Sequence, residues 1–450
     1  MKLRSLAVGL AIIVASSAAL AGCGDGPAGP STSPTSGGSS STAVTTLEFW
    51  QNQFSDADNA WFKEHVDAFN ASHTDIKVNL TVVNGDVWDE KLKAAQATGT
   101  APDMYTMNYS AVPMKARNGE IAPITSYIAQ SAWDDLDARF LKAVTVGNDH
   151  YAYPIYYEPS AVLLMRKSIV TAAGLDITKP PTTWAQLIDW GLAIKKSNKD
   201  VVPYQMGQNA VELAWSTWGM QYGTAGHLPI SDDWSKSAAA DPKFTPLFQF
   251  VQDLQSKGVI AEQPLAPYGD VTPLGEGKLA MMANGSWGIS ALLANFPDVV
   301  SDVAVVAMPT VDGDASRCTA TLGGWTIGVD AKSTKAEAAA KVISWMLAED
   351  TSIPKDYFAK TLYTKLSPRN SVAAELSADP GKSVDPFFDV LVNATKSAIL
   401  EPGYDWQVSL AFGTALEAAM KGEKVAKAQA DADAAITKLI ADLKLADKPH

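Results

Sequence analysis

The chain has 450 residues, 36 of them basic and 49 acidic, for a formal net charge of −13. That balance argues against nucleic acid or an anionic lipid surface as a direct partner. The length exceeds what one hydrophobic core supports, so two domains are expected.

Residues 1–22 have the pattern of a targeting segment. Lys2 and Arg4 supply a positive start, Leu6 to Leu20 an apolar run, and small residues close it. The run is too short, and wrongly flanked, for a stop-transfer helix. Leu20-Ala21-Gly22-Cys23 resembles a bacterial lipobox, which implies lipidation of Cys23 as the first mature residue, with enough acyl chains for stable anchoring. Loss of residues 1–22 leaves 34 basic and 49 acidic residues, net −15. Residues 23–43 then form the lipidated Cys and a linker. The stretch GDGPAGPSTSPTSGGSSST has almost nothing apolar to bury and reads as a flexible tether. The expected location is the outer face of a bacterial cell membrane. With Cys23 lipidated only Cys318 remains, so no intrachain disulfide can form, and Cys318 reads as a packed small hydrophobe. The five His are scattered without ligand spacing, and neither a metal nor another cofactor is expected.

Leu47 to Gln51 predicts a first strand, followed by a helix carrying Trp61 and Phe69 on one face. Ile76, Val78, Leu80 and Val82 alternate as a second strand. Strand, helix, strand at this spacing is a βαβ unit of a parallel sheet. Ala101 to Met107 predicts a third strand. Ligands of open parallel sheets bind beyond the carboxyl ends of the strands, which points to Trp50, Gln51, Asn108 and Tyr109. Tyr151 to Lys167, YAYPIYYEPSAVLLMRK, is two apolar runs broken at Glu158-Pro159-Ser160. Proline cannot sit inside a central strand, so the ladder must break there, as it would where the chain crosses between domains. Thr183 and Gln186 form a capping box before an amphipathic helix. Ala210 to Met220 reads as a Trp-rich helix, Lys278 to Asn284 and Asp302 to Met308 as strands, and Thr334 with Glu337 as a helix cap. Thr326 to Val329 follows Gly323-Gly324-Trp325 as another strand, and Ala411 to Leu443 reads as mostly helical. Alternating strands and helices make the fold class α/β.

Six segments carry a family resemblance when taken together and in order: APDMYTM with NGEIAPI, the Tyr151–Lys167 crossing with PTTWAQL, GEGKLAMMANGSWGIS, VAVVAMPT, GGWTIGV and KLSPRN. Over about residues 44–443 the chain resembles the extracellular solute-binding proteins of bacterial sugar ABC transporters, the group of maltose-binding protein. The resemblance implies a type II periplasmic-binding-protein-like fold of two lobes, with a hinge and a ligand cleft between them. Lobe one is expected over 44–157 and 304–349, and lobe two over 158–303 and 350–450. Crossings are expected near Glu158, Asp302 and Asp350. The implied partners are a carbohydrate ligand and the permease subunits of an importer, and the implied state is a monomer.

By the same matching, Trp287 is expected to stack on a sugar ring, whose C–H face is apolar and whose edge is polar. Gly324 allows close backbone approach beside Trp325, a second expected contact. Glu158 matches a ligand-binding carboxylate, with a hinge hydrogen bond as the alternative. Arg369 is expected to reach sugar hydroxyls or a cleft carboxylate. Glu212, Trp215 and Trp406 complete the candidate set. Gly275 to Lys278 lacks the spacing and the hydroxyl residue of a phosphate loop, and no Gly-x-Ser-x-Gly occurs. A surface glycosidase would need two carboxylates in one cleft, for which Glu158 and Glu212 are the candidates. A same-fold receptor for a polyol or another small solute is the remaining alternative.

Overall fold

The computed structural model describes residues 44–448. The targeting segment, the lipobox and the linker lie outside the described residues.

The first sheet takes β1 (Thr45–Asn52), β2 (Ile76–Val83), β3 (Met104–Asn108) and β4 (Ile121–Ala122) from the first part of the chain. β5 (Thr145–Val146) and β6 (Asp149–His150) pair with each other as a small ribbon. β7 (Ala152–Pro159) returns to the first sheet, whereas β8 (Val162–Arg166), β9 (Val202–Gln205), β10 (Leu279–Asn284) and β11 (Val303–Val306) build the second. β12 (Thr321–Asp330) and β13 (Ile399–Leu400) belong again to the first. The first sheet runs β13-β12-β3-β1-β2, with β4 and β7 also paired to β12, and the second runs β11-β8-β10-β9. β1 pairs in parallel with both β2 and β3, the expected βαβ arrangement.

Each sheet has its own core. The first gathers Phe49, Trp61, Tyr105, Trp133 and Tyr153, all fully buried. In the second, Val162 to Met165 are all fully buried. Successive side chains point to opposite faces of a strand, so Leu163 and Met165 enter one apolar cluster while Val162 and Leu164 enter another. That is why this stretch reads as continuously apolar rather than alternating. The capping box at Thr183 and Gln186 starts the helix Trp184–Ser197, whose Trp184 is buried and donates its indole N–H to the Pro309 carbonyl at 2.9 Å.

The chain passes from the first sheet to the second at Pro159–Ala161. Ser160 ties this crossing to the start of β12. Its N–H donates to the Thr321 carbonyl at 2.9 Å, and its Oγ accepts the Thr321 N–H at 2.9 Å. β7, β12 and β13 lie side by side here, with Glu158 registered opposite Gly323 and Leu400 opposite Leu322. β7 carries a bulge that places Tyr156 against Trp325 and Pro154 against Thr326. Gly324 has φ +137°, and a Cβ there would lie 2.2 Å from the Tyr156 carbonyl oxygen. Gly324→Ala is therefore expected to destabilise the chain by about 2–4 kcal/mol, through both the backbone conformation and the clash, read as a lower urea midpoint at unchanged slope.

Two of the expected crossings sit elsewhere. β11 pairs antiparallel with β8, so residues 303–306 belong to the second sheet rather than to lobe one. The return to the first sheet comes only at Thr321. The expected crossing near Asp350 is also displaced, because Tyr357, Phe358, Leu366, Val372 and Leu376 are buried in the first core. From there the chain first touches both lobes where Phe388 packs in the first core and Phe387 and Leu391 in the other. β13 still pairs with β12 at Ile399–Leu400, so the last passage to the second core falls between Leu400 and Tyr404. The apolar pattern of Val303 to Met308 fits an edge strand of either sheet, so residue pattern alone could not assign it.

Candidate functional site

A cavity of about 1170 Å³ lies between the two sheets and is lined from both. Its first-lobe wall begins immediately after β1. The chain turns at Phe54 and Ser55 into the helix Asp56–Ser72, which Ser55 and Asp58 open with a reciprocal capping box. Phe54 packs edge-on to Trp325 with ring centroids 4.8 Å apart. Asn108, at the end of β3, is exposed to the same space.

The second-lobe wall is aromatic. Trp287 sits in the first turn of the helix Ser286–Asn295, directly after β10, and is half-buried. A side chain at Gly285 would meet the Trp287 ring at 1.9 Å, so the glycine is what lets the indole lie over the strand end. Trp215 is 5.8 Å from Trp287 and 5.1 Å from Tyr268, between ring centroids. Glu212 holds this cluster from behind, with Oε1 accepting the Tyr268 N–H at 3.1 Å and Oε2 the Gln208 N–H at 3.0 Å. On another side Trp406 opens the helix Trp406–Met420, 41% exposed, with Trp218 edge-on at 6.2 Å.

Two carboxyl groups lie at the base, on either side of Gly323. Glu158, at the end of β7, is 6% exposed, and its Oε2 accepts the Ser286 hydroxyl at 2.6 Å. This bond joins the first sheet to the helix Ser286–Asn295. Burial pushes the Glu158 carboxyl up to about 7, against the opposing pull of the Lys365 charge and the Ser286 hydrogen bond. Glu401 follows β13. A Cβ on Gly323 would stand 2.6 Å from its Oε1, and its Oε2 is buried without a hydrogen-bond partner. Burial pushes Glu401 up to about 8, opposed by a hydrogen bond from Ser110 and reinforced by the nearby Glu158 charge. Lys365 lies below this floor, over the Tyr156 ring at 4.8 Å, and is held by Asp58 through Oδ1 at 2.6 Å and Oδ2 at 2.8 Å. Burial would raise the Asp58 carboxyl, but the Lys365 charge and hydrogen bonds from Lys365, Ser55 and Tyr357 outweigh it and hold the group below its ordinary range.

The Glu158 shift fixes a pH dependence. Its folded pKa lies above its unfolded one, so the folded protein binds more protons, and the stability this group contributes is present below about 4.5 and lost as pH rises through about 7. Glu158→Gln is expected to remove that slope, raising stability relative to wild type by on the order of 2 kcal/mol at pH 8 and by little at pH 4. Urea titrations at the two pH values check it.

Of the residues expected in a cleft, Asn108, Glu158, Trp215, Trp287, Gly324, Trp325 and Trp406 line this cavity together. Five lie elsewhere. β1 runs to Asn52, so Trp50 and Gln51 sit inside the sheet rather than beyond its end. Trp50 faces the helix Trp88–Thr98, with the Lys91 ammonium 4.7 Å from its ring, and Gln51 is fully buried and donates to Asn59 at 2.7 Å. Tyr109 is 1% exposed and spends its hydroxyl on the Tyr156 carbonyl at 3.2 Å. Glu212 is occupied by backbone amides. Arg369 is buried, with Nε 2.8 Å from Asp135 and Nη1 2.9 Å from the Leu347 carbonyl, a clamp between segments of the first lobe. Sequence reasoning missed Phe54, Tyr156, Tyr268, Lys365 and Glu401. Lys365 was within reach, because it stands in the same KLSPRN segment that suggested Arg369. Among the described residues no group of three or more His, Cys, Asp or Glu could hold a metal ion, and no helix is long and apolar enough to cross a membrane.

Residues 55–352 match the model of a family described as bacterial extracellular solute-binding protein. A probable ABC transporter-binding protein of Deinococcus radiodurans is 27% identical over 290 residues, 60% of this chain. The match spans only 64% of that relative's length. The cyclic α-maltosyl-1,6-maltose binding protein of Arthrobacter globiformis has a similar fold, with a TM-score of 0.72 at 24% identity over 89% of this chain and 100% of that one. A solute-binding protein of Thermotoga lettingae bound to α-D-tagatose superposes with a TM-score of 0.76 at 20% identity, covering 88% of this chain and 100% of that one. These two likenesses show a two-lobe solute-binding fold.

Proposed function

The chain belongs to the bacterial extracellular solute-binding proteins, and from that premise we propose that it is a carbohydrate receptor delivering its ligand to an ABC importer. The observation that carries the reading is the composition of the cleft. Trp215, Tyr268 and Trp287 present aromatic faces on one side, and Glu158, Glu401 and Asn108 present polar groups at the base and the opposite wall. Apolar C–H faces stack on the first, and ring hydroxyls find acceptors and donors in the second. The cavity has room for an oligosaccharide as well as a single sugar. One of the two similar structures is of a protein that binds cyclic α-maltosyl-1,6-maltose and the other holds α-D-tagatose, an oligosaccharide and a ketohexose that agree with that range.

The protein acts by binding, not turnover. Of the two carboxylates named for a glycosidase, Glu212 is engaged by backbone amides. Glu158 and Glu401 do share the cleft floor, but burial raises the pKa of both, which disfavours the ionised partner such a pair needs. The family and its relatives are binding proteins. Ligand seated between the lobes would draw them together about the crossing strands β7, β12 and β13, and the closed form would engage the permease. Cys23, lipidated, would hold the protein as a monomer at the outer face of the membrane, with residues 24–43 as its tether.

A thermal-shift screen with maltose-type oligosaccharides, hexoses, ketohexoses and hexitols tests the reading. At 100-fold excess over Kd the true ligand class adds about 2.7 kcal/mol of stability, several degrees in Tm. Stabilisation by hexitols alone would replace the sugar by a polyol, and silence across the panel would remove the proposal.

A further inference from the structure

A side-chain contact that uses none of the crossing strands also joins the two lobes. Arg117 is the last residue of the helix Ala111–Arg117, whose Val112 and Ala116 are buried in the first core. Its guanidinium carbon lies 5.0 Å from the centroid of the Trp234 ring. Trp234 is 9% exposed and belongs to the core of the second lobe. Met114 of the same helix packs against that second core and lines the cleft, as does Asn118, so the contact sits beside the cleft wall.

Trp234 is held in place by a built turn. Its φ is +50°, in the left-handed region, which costs free energy in a bulky residue unless the surroundings impose it. The surroundings do so. The Trp234 N–H donates to the Ser231 carbonyl at 2.8 Å, while the Asp233 carboxylate accepts Ser231 Oγ at 2.6 Å and Ser235 Oγ at 2.8 Å. The arginine gives something up to make the contact. Its Nε and Nη1 are buried without a hydrogen-bond acceptor, and burial lowers the guanidinium's pKa.

We propose that Arg117 and Trp234 form an interlobe latch that biases the ligand-free protein toward the engaged lobe arrangement. The proposal rests on the reading of a cleft that opens by rotation of the lobes. The two partners ride on different lobes, so separating the lobes at this edge breaks the contact. Engagement gains a cation on an aromatic face in a partly dry setting. Opening returns water to two guanidinium N–H groups. The two terms oppose each other, so the latch is weak and reversible. A receptor needs that balance, because a ligand can shift only an equilibrium that is not already one-sided.

Single-molecule energy transfer between dyes at Lys77→Cys and Ala435→Cys, both exposed and on different lobes, in a Cys23→Ser background and without ligand, tests it. Arg117→Ala and Trp234→Ala are each expected to lower the ratio of engaged to open molecules by about three- to tenfold, and the double variant no further. Arg117→Ala at a half-buried helix end keeps the test valid should Trp234→Ala fail to fold. An unchanged distance distribution in Arg117→Ala overturns the latch, and so do fully additive effects, since the two side chains would then act separately. The readout needs no sugar. A shift in these variants alongside failure of every carbohydrate to bind would keep the latch and remove only the receptor reading.

Discussion

Trp287→Ala is expected to raise the Kd for the carbohydrate ligand about 70-fold or more, while Tm moves by no more than a few degrees. A sugar ring on the exposed indole face covers on the order of 100 Å² of apolar surface, worth about 2.5 kcal/mol at ~25 cal/mol per Å². The indole is already half-exposed, and its protein neighbours are the rims of Trp215 and Tyr268 and the backbone at Gly285. Its loss leaves no sealed cavity and therefore little of the penalty of a core truncation. Trp184 is the control. It is buried, stacked on Phe250 with centroids 4.8 Å apart, and tied to Pro309 by its N–H, so Trp184→Ala should cost about 3–5 kcal/mol. Isothermal titration of Trp287→Ala beside its thermal melt checks the claim. A melt lowered as far as that of Trp184→Ala would make Trp287 a packing residue.

Lys365→Met is expected to destabilise the protein by about 3–5 kcal/mol, because it strands Asp58 as a buried, uncompensated charge. Lys365 and Asp58 are both almost completely buried, and the pair is reinforced by the Tyr357 hydroxyl donating to Asp58. The cluster joins the helix Asp56–Ser72 to the segment after residue 350, and it puts a positive charge beneath Tyr156 and near Glu158. Adding Asp58→Asn to Lys365→Met should recover most of the loss, since the amide carries no charge to bury. Urea denaturation of the single and double variants measures it. Equal losses in the two would mean that packing, rather than the charge, sets the cost.

The sequence revealed the parts of this molecule that repeat a period or break one. The βαβ start, the doubly buried β8 and the break at Pro159 were legible because alternation, continuous apolarity and a missing N–H each leave a local signature. The capping box at Thr183 was legible for the same reason. The cap expected at Thr334 and Glu337 was not formed, since the helix starts at Ala336 after Lys335 without a side-chain cap. The crossings near 302 and 350 were misplaced because an amphipathic segment does not state which core it faces.

For the cleft, two residues marked by a neighbouring glycine, Trp287 just after β10 and Trp325 within β12, do line the cavity. Trp50 and Gln51 were misplaced by a strand end set one residue short. Arg369 and Tyr109 illustrate the commoner failure. A polar side chain near a site can be spent on backbone carbonyls, and only the packing reveals it. Glu401 and Tyr268 carry no local signature. They reach the cleft because a distant segment runs beside β12 in one case and because Glu212 holds a loop in the other.

A cleft that holds a carbohydrate without transforming it can be recognised by one titration. Tryptophan fluorescence titrated with maltose-type oligosaccharides and hexoses, followed by recovery and chromatography of the bound sugar, tests it most directly. A saturable change in emission is expected, moved to about 70-fold or more higher sugar in Trp287→Ala, with the sugar recovered intact after prolonged incubation. No saturable change with any sugar, or release of shorter products from a bound one, would contradict the receptor reading.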